Sequence, residues 1–161
     1  MNLKYMNIII VVAMALSVSL RGASAEIRDN PVITLEFAYA SVTNRTAIQV
    51  FASGRAVCSG IERQTITQLS KPVMAKIMHA LDASNIVEVT NEKIQERLNA
   101  QREYFHVFDS MTTTLIIDLP TCHHRVSCYA LTFFATKYPN INELQRMKDL
   151  VDLIESQVGG N

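Results

Sequence analysis

Five stretches of the chain read as strands, most of them by alternation of apolar and polar residues, and in Thr113–Leu119 apolar residues on both faces indicate that both are partly covered. In Val32–Tyr39 the residues Ile33, Leu35, Phe37 and Tyr39 fall on one side. Thr46–Ala52 places Ile48, Val50 and Ala52 together, Ser53-Gly54 signals a turn, and Arg55–Ser59 returns as a third strand. A two-residue turn sets Cys58 opposite Gln49, and a three-residue turn sets it opposite Val50. Thr113–Leu119 and His124–Tyr129 are the remaining two, separated by Pro120, which cannot donate to a ladder.

These last two stretches form a β-hairpin. Pairing Ile117 with Val126 puts Leu119 opposite His124 and Leu115 opposite Cys128, with Pro120–His123 as a four-residue loop. Cys128 then faces the core and Cys122 sits in the turn. Asp109, ahead of three threonines, reads as an Asx-turn that starts the first strand.

Elsewhere the period changes to that of a helix. Ser70 and Pro72 open a helix over Lys71–Ala83 with Met74, Ile77, Met78 and Leu81 on one stripe. Asn85–Val89 reads as a short extended piece, and Thr90 caps a second helix to about Gln101 with Ile94 and Leu98 inward. Ala130–Tyr138 forms one or two turns with Leu131 and Phe134 inward, ended by Pro139. Asn142 caps a last helix with Leu144, Met147, Leu150, Val151 and Ile154 inward, closed by Gly159-Gly160. The expected fold is α+β: one domain, a mainly antiparallel sheet of about five strands, and two to four helices on one face.

The N-terminus changes where this fold is expected to reside. Lys4, an apolar run from Ile8 to Leu16 and Ala23-Ser24-Ala25 match the three regions of a secretory signal peptide. Ser17, Ser19 and Arg21 interrupt the run before the roughly 20 apolar residues of a membrane span. Residues 1–25 are read as the signal, and 26–161 as the domain, in the periplasm or outside the cell. Of the 15 basic and 15 acidic residues, the signal holds only Lys4 and Arg21, which leaves the remainder near neutral at −2. That balance argues against nucleic acid as a partner. Asn44-Arg45-Thr46 fits the N-glycosylation pattern, which matters only in a eukaryotic secretory pathway.

Export makes disulfides feasible, and the 3 cysteines are Cys58, Cys122 and Cys128. Six extended steps separate Cys122 from Cys128 by about 20 Å, far beyond disulfide reach. Cys58 is therefore the expected partner in any internal bond, with Cys128, within a strand, the better candidate. The Cys122-His123-His124 cluster contains thiolate and imidazole, the ligands of zinc and copper, with His106 and Asp109 just before the hairpin. Adjacent strand residues point to opposite faces, however, and the usual paired-ligand spacing of closed zinc sites is absent. A Cys–His nucleophile pair would make a small thiol hydrolase. The chain contains no G-x-S-x-G elbow, H-E-x-x-H helix, C-x-x-C or phosphate-binding glycine loop.

A strand, the Ser53-Gly54 turn, a strand and a helix, then Asp109-x-x-Thr112-Thr113 and a strand pair ending in Tyr129-Ala130-Leu131, together resemble an uncharacterised family of secreted bacterial domains of unknown function. The resemblance spans about residues 32–157. It supplies no activity and no site residues, and the chain lacks the paired cysteines that some members carry near the first hairpin. The residues lead to a non-catalytic envelope or secreted module that binds an unknown envelope protein or ligand. A metal-binding or metal-sensing protein using Cys122–His124 and a thiol hydrolase are the alternatives. No transmembrane anchor is expected after signal cleavage, and no cofactor other than a transition metal. N-terminal sequencing of the exported protein is expected to begin at Glu26, and an intact Met1 would refute the signal reading.

Overall fold

The computed structural model describes residues 30–39, 45–101, 107 and 110–158. The signal region, Asn44, His106, Asp109 and Gly159-Gly160 lie outside the described residues. Six strands form one antiparallel sheet in the order β4-β3-β2-β1-β5-β6. They are β1 (Pro31–Tyr39), β2 (Arg45–Phe51), β3 (Arg55–Ser59), β4 (Gln64–Gln68), β5 (Met111–Leu119) and β6 (Cys122–Tyr129). Four helices pack on one face: α1 (Lys71–Ala83), α2 (Asn91–Asn99), α3 (Leu131–Lys137) and α4 (Asn142–Val158). This is the expected α+β class, with one strand more than anticipated.

The alternation in β1 explains why it is central. Ile33, Leu35 and Phe37 are buried. They align with Ile117, Leu115 and Thr113 of β5 on one side and with Val50, Ile48 and Thr46 of β2 on the other. Because paired residues share a face, these rows form an apolar floor under the helices. On α4, Leu144, Met147, Leu150, Val151 and Ile154 recur at helical spacing and close the core from above. Phe51 and Val57, of opposite parity, are buried outside that core cluster.

Strand β4 is the element the pattern missed. Gln64–Gln68 contains a single large apolar residue, Ile66, and that residue is exposed, so no alternation marks the strand. Its pairing with β3 decides it. Between β2 and β3, Gly54 takes φ +83°, and a Cβ there would lie 2.9 Å from Gln68 Nε2 and 3.0 Å from the Leu69 carbonyl. Only glycine satisfies both demands. The turn is three residues long, and Cys58 pairs with Ile48, neither Gln49 nor Val50. Ala52 consequently lies exposed in the turn instead of on the β2 core face.

The β5–β6 register differs from expectation by two residues. Leu115, not Ile117, opposes Val126, and Leu119 opposes Cys122. Only Pro120 and Thr121 remain in the turn. A shift of two preserves parity, so Cys128 still faces the core, but Cys122 becomes a strand residue on the same face. The remaining differences are local. Ile86–Glu88 is a 3₁₀ turn instead of an extended piece. The Thr90 hydroxyl accepts from Lys93 N–H at 3.3 Å as anticipated, but Ser70 makes no side-chain cap. Asn142 is the first residue of α4, whose opening bonds go to the Ile141 carbonyl.

Leu150 is only 2% exposed. Leu150→Ala should lower stability by about 2–5 kcal/mol, read from denaturant midpoints. A loss below about 0.5 kcal/mol would mean the site is not packed as described.

Candidate functional site

The β5–β6 hairpin splits the Cys-His-His cluster. Strand alternation sends Cys122 and His124 to the helix-covered face and His123 to the opposite one. On that opposite face His123 Nδ1 meets Asp118 Oδ1 at 2.5 Å across the ladder, in an exposed pair. His124 Nε2 is buried without a hydrogen-bond partner, the one such side-chain atom among the described residues. Such a group costs about 1–3 kcal/mol. Cys122 and His124 therefore offer two ligands on one face, one fewer than the three protein ligands of an open catalytic zinc site. No group of three His, Cys, Asp or Glu side chains converges among the described residues. The proposed ligand set of Cys122, His123 and His124 does not come together, because neighbours on a strand cannot share a face.

The expected Cys58–Cys128 bond is also not formed. All three thiols are free. Cys58 on β3 and Cys128 on β6 are separated by β2, β1 and β5. Four inter-strand steps place them roughly 19 Å apart, against the 4.4–6.8 Å that a disulfide requires. Cys128 lies buried under the helices, its Sγ donating to the Tyr129 carbonyl at 3.4 Å. Burial pushes its thiol up to about 12 from an ordinary 9.0. At neutral pH the thiol therefore keeps its proton, so Cys128 is a poor nucleophile.

A different end of the sheet carries a cleft. Tyr39 closes β1 opposite Met111, which opens β5, and the Met111 carbonyl accepts from Ala130 N–H at 2.9 Å. Ala130 adopts φ +52°, a left-handed conformation costly for a residue with a Cβ. That turn sends the chain from β6 straight into α3 and brings Thr132 and Phe133 beside Tyr39. Strained backbone of this kind is concentrated at functional positions. The Tyr129 hydroxyl accepts from Ser110 N–H at 3.0 Å and donates to the Val107 carbonyl at 2.9 Å, which ties the approach to β5 onto the edge strand.

The resulting cleft has a volume of about 240 Å³ and is lined by Tyr39, Met111, Leu131 and Phe133 with hydroxyls from Ser110, Thr113 and Thr132. Tyr39, expected to face the core, is 49% exposed, and Phe133 is 40% exposed. Tyr39 lies beyond the last core-facing row, and on α3 Phe134 packs against the core, which turns its neighbour Phe133 outward. Among the lining residues there is no carboxylate, imidazole or thiol, so the site is equipped to hold a group rather than to move a proton. Its volume is below the roughly 300–1,000 Å³ of small-molecule pockets and suits a protruding side chain. The adjacent Phe133–Phe134 pair could have signalled this site, because two neighbouring helix positions cannot both face the core, but the residue pattern singled out only Phe134. Tyr39 had no such signal, because alternation alone does not reveal where the covering layer ends. A second cleft, of about 310 Å³, lies between α2 and the start of α4. It is polar, and its two charged side chains, Arg97 and Glu143, are 3.7 Å apart.

Cys128 sets a pH dependence. Its thiol keeps its proton in the folded chain and loses it in the unfolded chain between pH 9.0 and about 12. The unfolded state then binds fewer protons. This contribution is intact below pH 9.0 and declines as pH rises through the window, by up to about 1.4 kcal/mol per unit. Denaturant midpoints at about pH 8 and about pH 11 should therefore fall less steeply for Cys128→Ala than for the native chain. Equal slopes would place the thiol in contact with water.

No family model matches this chain, and no curated protein matches it, so neither comparison adds residues to the site.

Proposed function

We propose that this chain is an exported, non-catalytic binding domain that holds an apolar or aromatic side chain of a partner protein between Tyr39 and Phe133. The single observation that carries the reading is the cleft itself. Two half-exposed aromatic rings flank a floor of methionine, leucine and threonine at the rim of the sheet. Tyrosine and phenylalanine supply large contact areas at little conformational cost, which is why aromatic residues anchor protein interfaces. The uncharged lining favours an apolar group over an anion or a metal. Export to the periplasm or beyond rests on the signal pattern of residues 1–25. Among the described residues no helix is long and apolar enough to cross a membrane.

A photo-crosslinking phenylalanine analogue at Phe133, introduced in the producing cell, should give a discrete adduct. The same analogue at Thr136, exposed on α3 outside the cleft, should not. Tyr39→Ala should abolish the Phe133 adduct while leaving thermal stability within a few degrees, since its ring is half exposed. Equal labelling from both positions, or none from Phe133, would refute the cleft as the recognition site.

A further inference from the structure

The two edges of the sheet are finished differently. On β6 the outward N–H of Ser127 donates to Asn91 Oδ1 at 2.8 Å, and Arg125 and His123 add charge or polarity to the same edge. These are ordinary defences against strand addition. Strand β4 has none of them. Gln64–Gln68 has no charged residue, no proline and no register shift against β3, and four of its five residues are exposed.

Hydrogen-bond alternation shows what this edge offers. Leu69 N–H donates to the Gly54 carbonyl at 2.8 Å, and Gly60 N–H donates to the Arg63 carbonyl at 2.8 Å. In the same register the bonded pairs between them are Thr67 with Ala56 and Thr65 with Cys58. The N–H and C=O groups of Gln64, Ile66 and Gln68 therefore point away from β3, where the described residues supply no further strand. The strand also reads the same in both directions: Gln-Thr-Ile-Thr-Gln. A two-fold axis at Ile66 would set Ile66 against its own copy, Gln64 against Gln68, and Thr65 against Thr67. Each of those is a like-with-like pair, and cross-strand threonine and β-branched pairs are favourable. The outward backbone groups fall in the hydrogen-bonded positions of that pairing. Ile66, 63% exposed and opposite buried Val57, would gain an apolar neighbour on the face of the sheet away from the helices. At the ends of the strand, exposed Glu62 of one copy would approach exposed Lys71 of the other, twice by symmetry.

We propose that β4 is a self-recognition edge: two copies of this chain pair antiparallel through Gln64–Gln68 about a two-fold axis at Ile66, joining their six-stranded sheets into one. Such an isologous contact uses the same edge on both copies and closes as a dimer. A strand-only contact is smaller than the roughly 1,200 Å² of stable interfaces, so the association is weak and concentration-dependent. It is independent of the Tyr39–Phe133 cleft.

Sedimentation equilibrium of the full chain as exported should show a reversible monomer–dimer equilibrium. Ile66→Lys places two like charges face to face and should weaken it at least about tenfold. Its melting temperature should be retained, because Ile66 is an exposed edge residue. Register is tested by Ile66→Cys, since hydrogen-bonded antiparallel pairs have Cα atoms about 5.5 Å apart, within disulfide reach. Mild oxidation should convert this variant to a covalent dimer on non-reducing gels. The native chain, treated alike, gives the background from its own thiols. A chain that stays monomeric to its solubility limit overturns the proposal. So does a dimer that survives Ile66→Lys and does not crosslink through position 66.

Discussion

The fold depends on the ladder between β1 and β5. Seven consecutive pairs, from Ile33–Ile117 to Tyr39–Met111, join the first strand to a segment about eighty residues later in the chain. Without that seam, β1 to β4 and the β5–β6 hairpin would be two small sheets, each with an apolar face too narrow to cover. With it, Ile33, Leu35 and Phe37 lie between the inward rows of β2 and β5, and a single core forms. The seam also closes a long loop before its contacts are gained, an entropic cost offset only by burying the rows on both sides at once. Its strength is therefore cooperative with the packing of α4, whose stripe covers the same core.

The ends of this ladder shape the chemistry on offer. Where β1 and β5 run out, Tyr39 and Met111 lose the helical cover that shields Phe37, and the left-handed turn at Ala130 brings α3 alongside them. The result is a shallow aromatic cleft with no acid, base or thiol in its lining. At the opposite end the tight Pro120-Thr121 turn draws Cys122 into the strand and separates His123 from its two neighbours. Proximity in sequence is what made that cluster suggestive, and the two-residue period of the strand is what dissolves it.

Insertion of β2, β1 and β5 between the strands of Cys58 and Cys128 likewise governs the thiols. Each cysteine lies on the helix-covered face, so all three are partly or fully shielded, yet none is within bonding distance of another. In this fold Cys128 acts as a small buried hydrophobe. The same strand order puts β4 and β6 at the two edges, one left bare by the described residues and the other stopped by Asn91.

Where a strand has one buried face or a helix a continuous stripe, the residue pattern carries the information locally. The extents of β1, β3 and α1, most of β5, the core stripe of α4 and the inward direction of Cys128 were all legible for that reason. So was the α+β class, since runs of period two and period 3.6 occur in separate blocks. Tertiary structure decided what pattern cannot encode. Gln64–Gln68 is a strand because β3 provides its partner, not because of its own residues. Register slipped by two residues at β5–β6, because a shift of two leaves every side chain on its face and so leaves no trace in the alternation. Strand order, which separated Cys58 from Cys128, follows from long-range pairing among apolar rows that look alike in sequence, and Tyr39 is exposed because the helical cover ends before it. Parity is a local property of the chain, whereas neighbourhood belongs to the assembled sheet.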